Sequence, residues 1–144
     1  MADAVKPGAR IFVDTGYFLA LALPRDAWND AARKWAKRNK QHKCKLVTTQ
    51  AVLMEVGAAL ARVPLRELAQ SILQAAQRDP ALEVLVCDAA LYDKALALFV
   101  AHPDKDWSMT DYASFVVMGE RGLTQALSAD HHFEQAGFVA LRRT

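Results

Sequence analysis

The stretch Ile11-Phe12-Val13-Asp14-Thr15 decides the reading of this chain. Three apolar residues of β-branched and aromatic character form a short buried strand. The next residue is a carboxylate, which is costly to bury without a compensating partner. Thr15 to Leu23 then continues without a charge and stops at Pro24, as a short helix would. An apolar strand that passes through an acid into a helix is one half of a strand–helix–strand unit.

Working outward, the same alternation recurs. A helix is expected from Asp26 to Gln41, with Trp28, Ala31, Ala32, Trp35 and Ala36 at helical spacing. Leu46-Val47-Thr48 is a second strand, and Thr49 is placed to cap a helix reaching Arg62. Pro64 suits the first turn of a helix ending near Arg78. Leu82 to Cys87 is a third strand, and Asp88 caps a helix to Ala101. After a loop at 102–107, Ser108 opens a helix that ends at Gly122. Ala126-Leu127-Ser128 is a fourth strand, Asp130 starts a short helix closed by Gly137, and Phe138 to Leu141 is a candidate edge strand. This order predicts an α/β fold: a single domain over residues 1–144, with a mainly parallel sheet of four to five strands flanked by helices. Residues 1–9 are expected to be a flexible N-terminal extension.

Composition narrows the class. With 53% hydrophobic and 24% charged residues the chain is neither disordered nor fibrous. No apolar run is long enough to span a bilayer, and Met1 to Arg10 lacks the apolar stretch of a secretory signal, which suggests a cytoplasmic protein. Cys44 and Cys87 match no metal-ligand spacing and are expected as free thiols.

The acids carry the functional signal. Asp14 is the only charged residue between Arg10 and Arg25, and Glu55 the only one between Lys45 and Arg62. Asp111 precedes the uncharged run Tyr112 to Met118, and Asp130 follows Ala126-Leu127-Ser128-Ala129. Three have a structural reading as well. Asp14 and Asp130 suit helix N-caps, and Asp111 forms a capping box with Ser108. Glu55 lies mid-helix and has no such role. In parallel sheets, ligands bind outside the carboxyl ends of the strands, where Asp14 and Asp130 fall. A hard cation such as Mg²⁺ or Mn²⁺ would neutralise all four together.

At these residues the chain resembles the PIN-domain ribonucleases, and among them the VapC-type toxins of bacterial toxin–antitoxin pairs. The resemblance rests on Ile11-Phe12-Val13-Asp14-Thr15, on the helix Thr49 to Ala59 bearing Glu55, on Asp104-Lys105-Asp106-Trp107-Ser108-Met109-Thr110-Asp111, and on Ala126-Leu127-Ser128-Ala129-Asp130-His131-His132-Phe133 with Gly137-Phe138. It implies a PIN-like domain whose metal-site acids are Asp14, Glu55, Asp111 and Asp130. It also implies endonucleolytic cleavage of RNA, a cognate antitoxin and a homodimer. The family's threonine in the last block stands here as Ser128, which keeps the hydroxyl.

Four acids suit metal-assisted phosphodiester hydrolysis. Asp14 and Asp111 are expected as direct ligands, Glu55 and Asp130 as ligands directly or through water, and Thr15, Thr110 and Ser128 as orienting groups. Asp104 and Asp106 are expected to be solvated, and His131 and His132 to be surface residues of the short helix. Trp28 and Trp35 are expected in a core or at a subunit contact. Arg33, Lys34, Lys37 and Arg38, with Lys40, Lys43 and Lys45, crowd seven cations into thirteen residues without an acid. The first four are candidates to bind the RNA backbone; the competing reading is a solvated face. An Asp-x-Asp phosphatase is excluded by Gly16. A catalytically inactive PIN-like RNA-binding or protein-binding module remains the alternative.

Overall fold

The computed structural model describes residues 5–142. Five strands form one parallel sheet in the order β3-β2-β1-β4-β5: β1 (Arg10–Val13), β2 (Lys45–Thr49), β3 (Leu82–Leu85), β4 (Gln125–Leu127) and β5 (Val139–Ala140). Around it lie α1 (Thr15–Ala22), α2 (Asn29–Gln41), α3 (Gln50–Ala59), α4 (Arg66–Arg78), α5 (Ala89–Ala101), α6 (Met109–Arg121) and α7 (His131–Gln135).

The alternation of β1 builds both layers, because successive side chains point to opposite faces. Phe12 joins Val47, Ala126, Tyr112, Met118 and Phe133 in one core, on the side of α5 and α6. Ile11 and Val13 join Tyr17, Trp35, Leu127 and Leu141 in the other, under α1 and α2. Trp35 is thus a core residue, and Trp28 packs edge-on against Tyr17. Both cysteines are free thiols.

The expected caps of four helices are present. Thr49 accepts from Val52 N, Asp88 from Leu91 N, Ser108 from Asp111 N, and Asp130 from His132 N. Several bounds differ, for local reasons. α2 begins at Asn29, because the Asp26 carboxylate takes the Trp28 N–H in a turn. α3 stops at Ala59, before Arg62. β3 ends at Leu85, and Cys87 N bonds to the Gln50 side chain instead of a neighbouring strand. β4 ends at Leu127, leaving Ser128 just beyond the sheet. Gly122 closes α6 at φ +66, where glycine avoids the steric cost other residues meet. Of the expected N-terminal extension, residues 1–4 lie outside the described residues; Val5 packs against the α2-side core and Gly8 N–H donates to the His42 carbonyl at 2.7 Å. No helix among the described residues is long and apolar enough to cross a membrane.

Candidate active site

From β1 the sheet winds one way to β2 and β3, and the other way to β4 and β5. Such a reversal leaves a crevice outside the carboxyl ends of the two central strands. Here that crevice separates the residue after β1 from those after β4. Asp14 lies on one side, 7% exposed. It holds the N-cap position of α1, yet its side chain makes no capping bond. Instead the Ser128 hydroxyl donates to Asp14 Oδ2 at 2.9 Å. Ser128 Oγ in turn accepts from Asp130 N at 3.0 Å. One buried hydroxyl therefore fixes the spacing between the acid of β1 and the acid of β4.

The remaining groups come from helix ends. Asp111 is held by the capping box of α6, with Ser108 N donating to its Oδ2 at 2.9 Å. His132 in α7 places Nδ1 3.0 Å from Asp111 Oδ2 and 3.2 Å from Asp130 Oδ2. Glu55 projects from α3, and the Thr15 hydroxyl donates to its Oε1 at 2.7 Å. Asp14, Thr15, Gly16, Glu55, Asp106, Ser108, Asp111, Ala129, Asp130 and His132 line one cleft of about 500 Å³.

That lining holds five carboxyl groups and no lysine or arginine. Burial pushes the Asp14 carboxyl up to about 6; the Ser128 hydroxyl and the Thr15 N–H act against this, and the charges of Asp111 and Asp130 add to it. Ionising Asp14 is therefore costly until a cation arrives. Ligand atoms of Asp111, Asp130 and His132 lie within 4.8 Å of one another, close enough to share one ion. A donor set dominated by carboxylate oxygen fits a hard divalent cation better than a soft one.

The four acids singled out in the sequence thus meet in one cleft, with Thr15 and Ser128 as their hydrogen-bonding supports. Thr110 does not join them. It faces a separate small hollow with Ala51, Cys87, Tyr92 and Met109, and its carbonyl accepts from Ser114 Oγ. Asp106, expected to be merely solvated, is exposed but lines the cleft. His132, expected on the surface, is the group that sequence reasoning missed. Its signal was position: two residues after an N-cap acid, its ring turns back over the helix N-terminus. His131 is exposed as expected.

The basic segment lies elsewhere. Arg33, Lys34 and Lys37 are exposed on α2, Lys34 pairs with Asp30 at 3.3 Å, and the Arg38 guanidinium sits 4.7 Å over the Trp35 ring. None of them lines the cleft.

Comparison with known proteins bears on the fold and the family. The PIN domain family matches residues 11–139. The 23S rRNA-specific endonuclease VapC20 of Mycobacterium tuberculosis is 31% identical over 133 residues, spanning 92% of this chain and 98% of its own. The crystal structure of VapC20, described as a Sarcin-Ricin loop cleaving toxin, superposes with a TM-score of 0.82 at 30% identity over 93% of this chain and 99% of that one. VapBC2 from Rickettsia felis, solved bound to a DNA fragment from its promoter, shares the fold at 11% identity, with a TM-score of 0.65 over 91% of this chain and 96% of that one. Because the family matches the chain from its first strand to its last, and a relative 31% identical spans 92% of it, the chain belongs to the PIN domain family.

Proposed function

We propose that the protein is a Mg²⁺- or Mn²⁺-dependent endoribonuclease, the toxin of a toxin–antitoxin pair. The observation that carries this reading is the convergence of Asp14, Glu55, Asp111 and Asp130 on one cleft without a balancing lysine or arginine. A relative named as an endonuclease spans 92% of this chain, so the nuclease reading is preferred over a catalytically inactive module.

Asp14, Asp111 and Asp130 would hold the cation; ligand atoms of Asp111, Asp130 and His132 already lie within 4.8 Å of one another. When bound, a divalent cation lowers the pKa of a coordinated water and offsets charge developing on phosphoryl oxygens. The protein supplies position. Ser128 keeps the Asp14 and Asp130 sides of the crevice in register, and Thr15 holds Glu55 across from them. Ser108 fixes Asp111 by the capping box, so the carboxylate is oriented before any ligand arrives. Hydrolysis would add water across one phosphodiester bond, leaving the phosphate on one fragment and a hydroxyl on the other, and Glu55 and Asp106 are the remaining carboxyl groups of that cleft. Arg33, Lys34, Lys37 and Arg38 on α2 contact the RNA backbone outside the cleft.

The partner assignments follow from chemistry and kinship. An acidic cleft suits insertion of a basic segment of a cognate antitoxin. A homodimer forms through α5, whose Tyr92, Leu96, Phe99 and Val100 recur at helical spacing and stay exposed. The protein acts in the cytoplasm, where RNA is available. Because the relative is named for cutting 23S rRNA, ribosomal RNA is the first substrate to offer. In the decisive experiment, purified protein is incubated with rRNA and Mn²⁺, with and without EDTA, alongside Asp111→Asn. New RNA ends that need both the metal and the acid support the reading; equal cutting in EDTA overturns it.

A further inference from the structure

The parallel sheet gathers cations at the pole opposite the cleft, with the acids Asp79 and Glu83 among them. Every strand starts at one end and finishes at the other, so the acids at the strand ends have a counterpart at the strand starts. Arg10 begins β1 and Lys45 begins β2, and these two residues are register partners on adjacent strands. Gly8 bonds to the His42 carbonyl, which brings the turn containing Lys6 against the end of α2. Lys40, Lys43 and Lys45 are exposed there, as is Lys6. β1 has four residues at about 3.3 Å each, so this pole lies roughly 13 Å from Asp14 before side-chain length is added.

Helix dipoles explain part of this cation cluster. α2, α4 and α6 finish at the same pole, and Arg38 and Lys40, Arg78 and Arg121 occupy their last turns, where positive charge is favoured. The dipoles do not explain Lys6, Lys43 or Lys45, which stand outside the helices. Nor do counter-charges: among the described residues, Lys6, Lys40, Lys43 and Lys45 form no ion pair, while Glu83 is engaged by Arg121 at 3.0 Å and Arg10 at 4.0 Å. Lys43 is the most telling. It adopts φ +52 just past the end of α2, a position that favours glycine or asparagine. A lysine there keeps a charge at the expense of backbone comfort.

We infer that the pole formed by Lys6, Lys40, Lys43 and Lys45 is a second RNA-contacting surface, which grips the phosphate backbone of the substrate away from the bond being cut. This inference rests on the nuclease reading for the identity of the polyanion. It implies a substrate class: an RNA folded or long enough to reach around the molecule from the cleft to the opposite end. Without its cation the cleft is negative and repels phosphate, so attachment at a distant cationic pole supplies affinity that the metal-free cleft cannot.

The test uses a fluorescently labelled RNA hairpin with a stem of about 20 base pairs, bound in EDTA across a salt series. Each duplex phosphate contact adds about 0.9 to the slope of log affinity against log salt. The combined variant Lys40→Gln, Lys43→Gly, Lys45→Gln is expected to lose roughly 2.7 of that slope, and Lys43→Gly alone about 0.9. The single variant also keeps or raises the melting temperature, because glycine suits the left-handed backbone, so lost binding cannot be attributed to lost folding. A slope unchanged in the combined variant, including one in which the pole binds an acidic protein instead, overturns the inference. Cleavage of rRNA in Mn²⁺ is followed in parallel. Cutting with an unchanged slope removes the second surface and keeps the nuclease; a reduced slope with no cutting by either protein does the reverse.

Discussion

Replacing Asp14 by Asn isolates the electrostatic cost of the cleft. In metal-free protein the Asp14 carboxyl is held at about 6, against 3.8 for a free aspartate, chiefly because it is buried. The sign follows from the raised value. The folded state holds the proton more tightly, so the penalty is absent below about pH 3.8, grows as pH rises, and is complete above about 6. A shift of about two units at 1.36 kcal/mol each amounts to roughly 3 kcal/mol at neutral pH. Asn carries no charge and pays none of this, and its oxygen still accepts the Ser128 hydroxyl. Its Nδ2, however, loses the second acceptor function of the carboxylate, which offsets about 1 kcal/mol. The net expectation is an apo variant about 2 kcal/mol more stable than wild type at pH 7.5, a rise of several degrees in melting temperature for a chain of this size. The advantage shrinks to nothing or reverses by pH 4. Mn²⁺ at a hundred times its dissociation constant adds about 2.7 kcal/mol to wild type, and less to the variant. Denaturant melts in EDTA at pH 4, 5.5 and 7.5, and thermal melts with and without Mn²⁺, measure all of these. A variant less stable than wild type by the same margin at every pH would refute the argument, because the substitution would then report only lost hydrogen bonding.

Other substitutions probe neighbouring claims. Asp111→Asn should abolish metal-dependent RNA cleavage while leaving far-UV circular dichroism unchanged, since Asn still completes most of the α6 cap. His132→Ala should weaken Mn²⁺ binding about tenfold or more in calorimetry, because it removes the nitrogen that lies between Asp111 and Asp130. Neutralising Arg33, Lys34, Lys37 and Arg38 together should flatten the salt dependence of RNA binding by up to about 0.9 per contact. Most of that loss should come from Arg33 and Lys37, since Lys34 pairs with Asp30 and Arg38 lies on Trp35. Phe99→Glu should shift the protein from dimer to monomer in sedimentation, by placing a charge in the apolar face of α5.

The acids were legible in the sequence for a physical reason: Asp14 and Glu55 stood alone in apolar segments, Asp111 and Asp130 bordered uncharged runs, and isolation of a charge is visible without a structure. The caps were legible too, because a cap and its helix lie within a few residues of each other. Ser108 with Asp111 and Asp130 with the start of α7 were readable in this way. What sequence could not decide was which capping acid turns its carboxylate to another partner in the cleft. Asp14 fitted a capping position and does occupy it, but its carboxylate makes no capping bond and accepts from Ser128, 114 residues later. That preference depends on the parallel pairing of β1 with β4, which no local window contains.

His132 shows the same limit from the other side. A histidine in a five-residue helix beside an exposed histidine reads as surface, and one of the pair is surface. The other differs only in the direction its ring leaves α7, which is set by the packing of Phe133 under the sheet. Phe133 is fully buried against Phe12 and Phe115, so the residue before it must lie on the flank of that contact. The flank faces Asp111, because the N-terminus of α6 ends beside α7. A buried aromatic thus aims a neighbouring imidazole at two carboxylates, and the core of the protein sets the geometry of its cleft. Phe133→Leu, which keeps an apolar side chain but removes the ring contacts, is therefore expected to weaken Mn²⁺ binding as His132→Ala does, although Phe133 does not line the cleft. Calorimetry on the two variants and their combination checks it. Independent, additive losses would mean that Phe133 does not position His132.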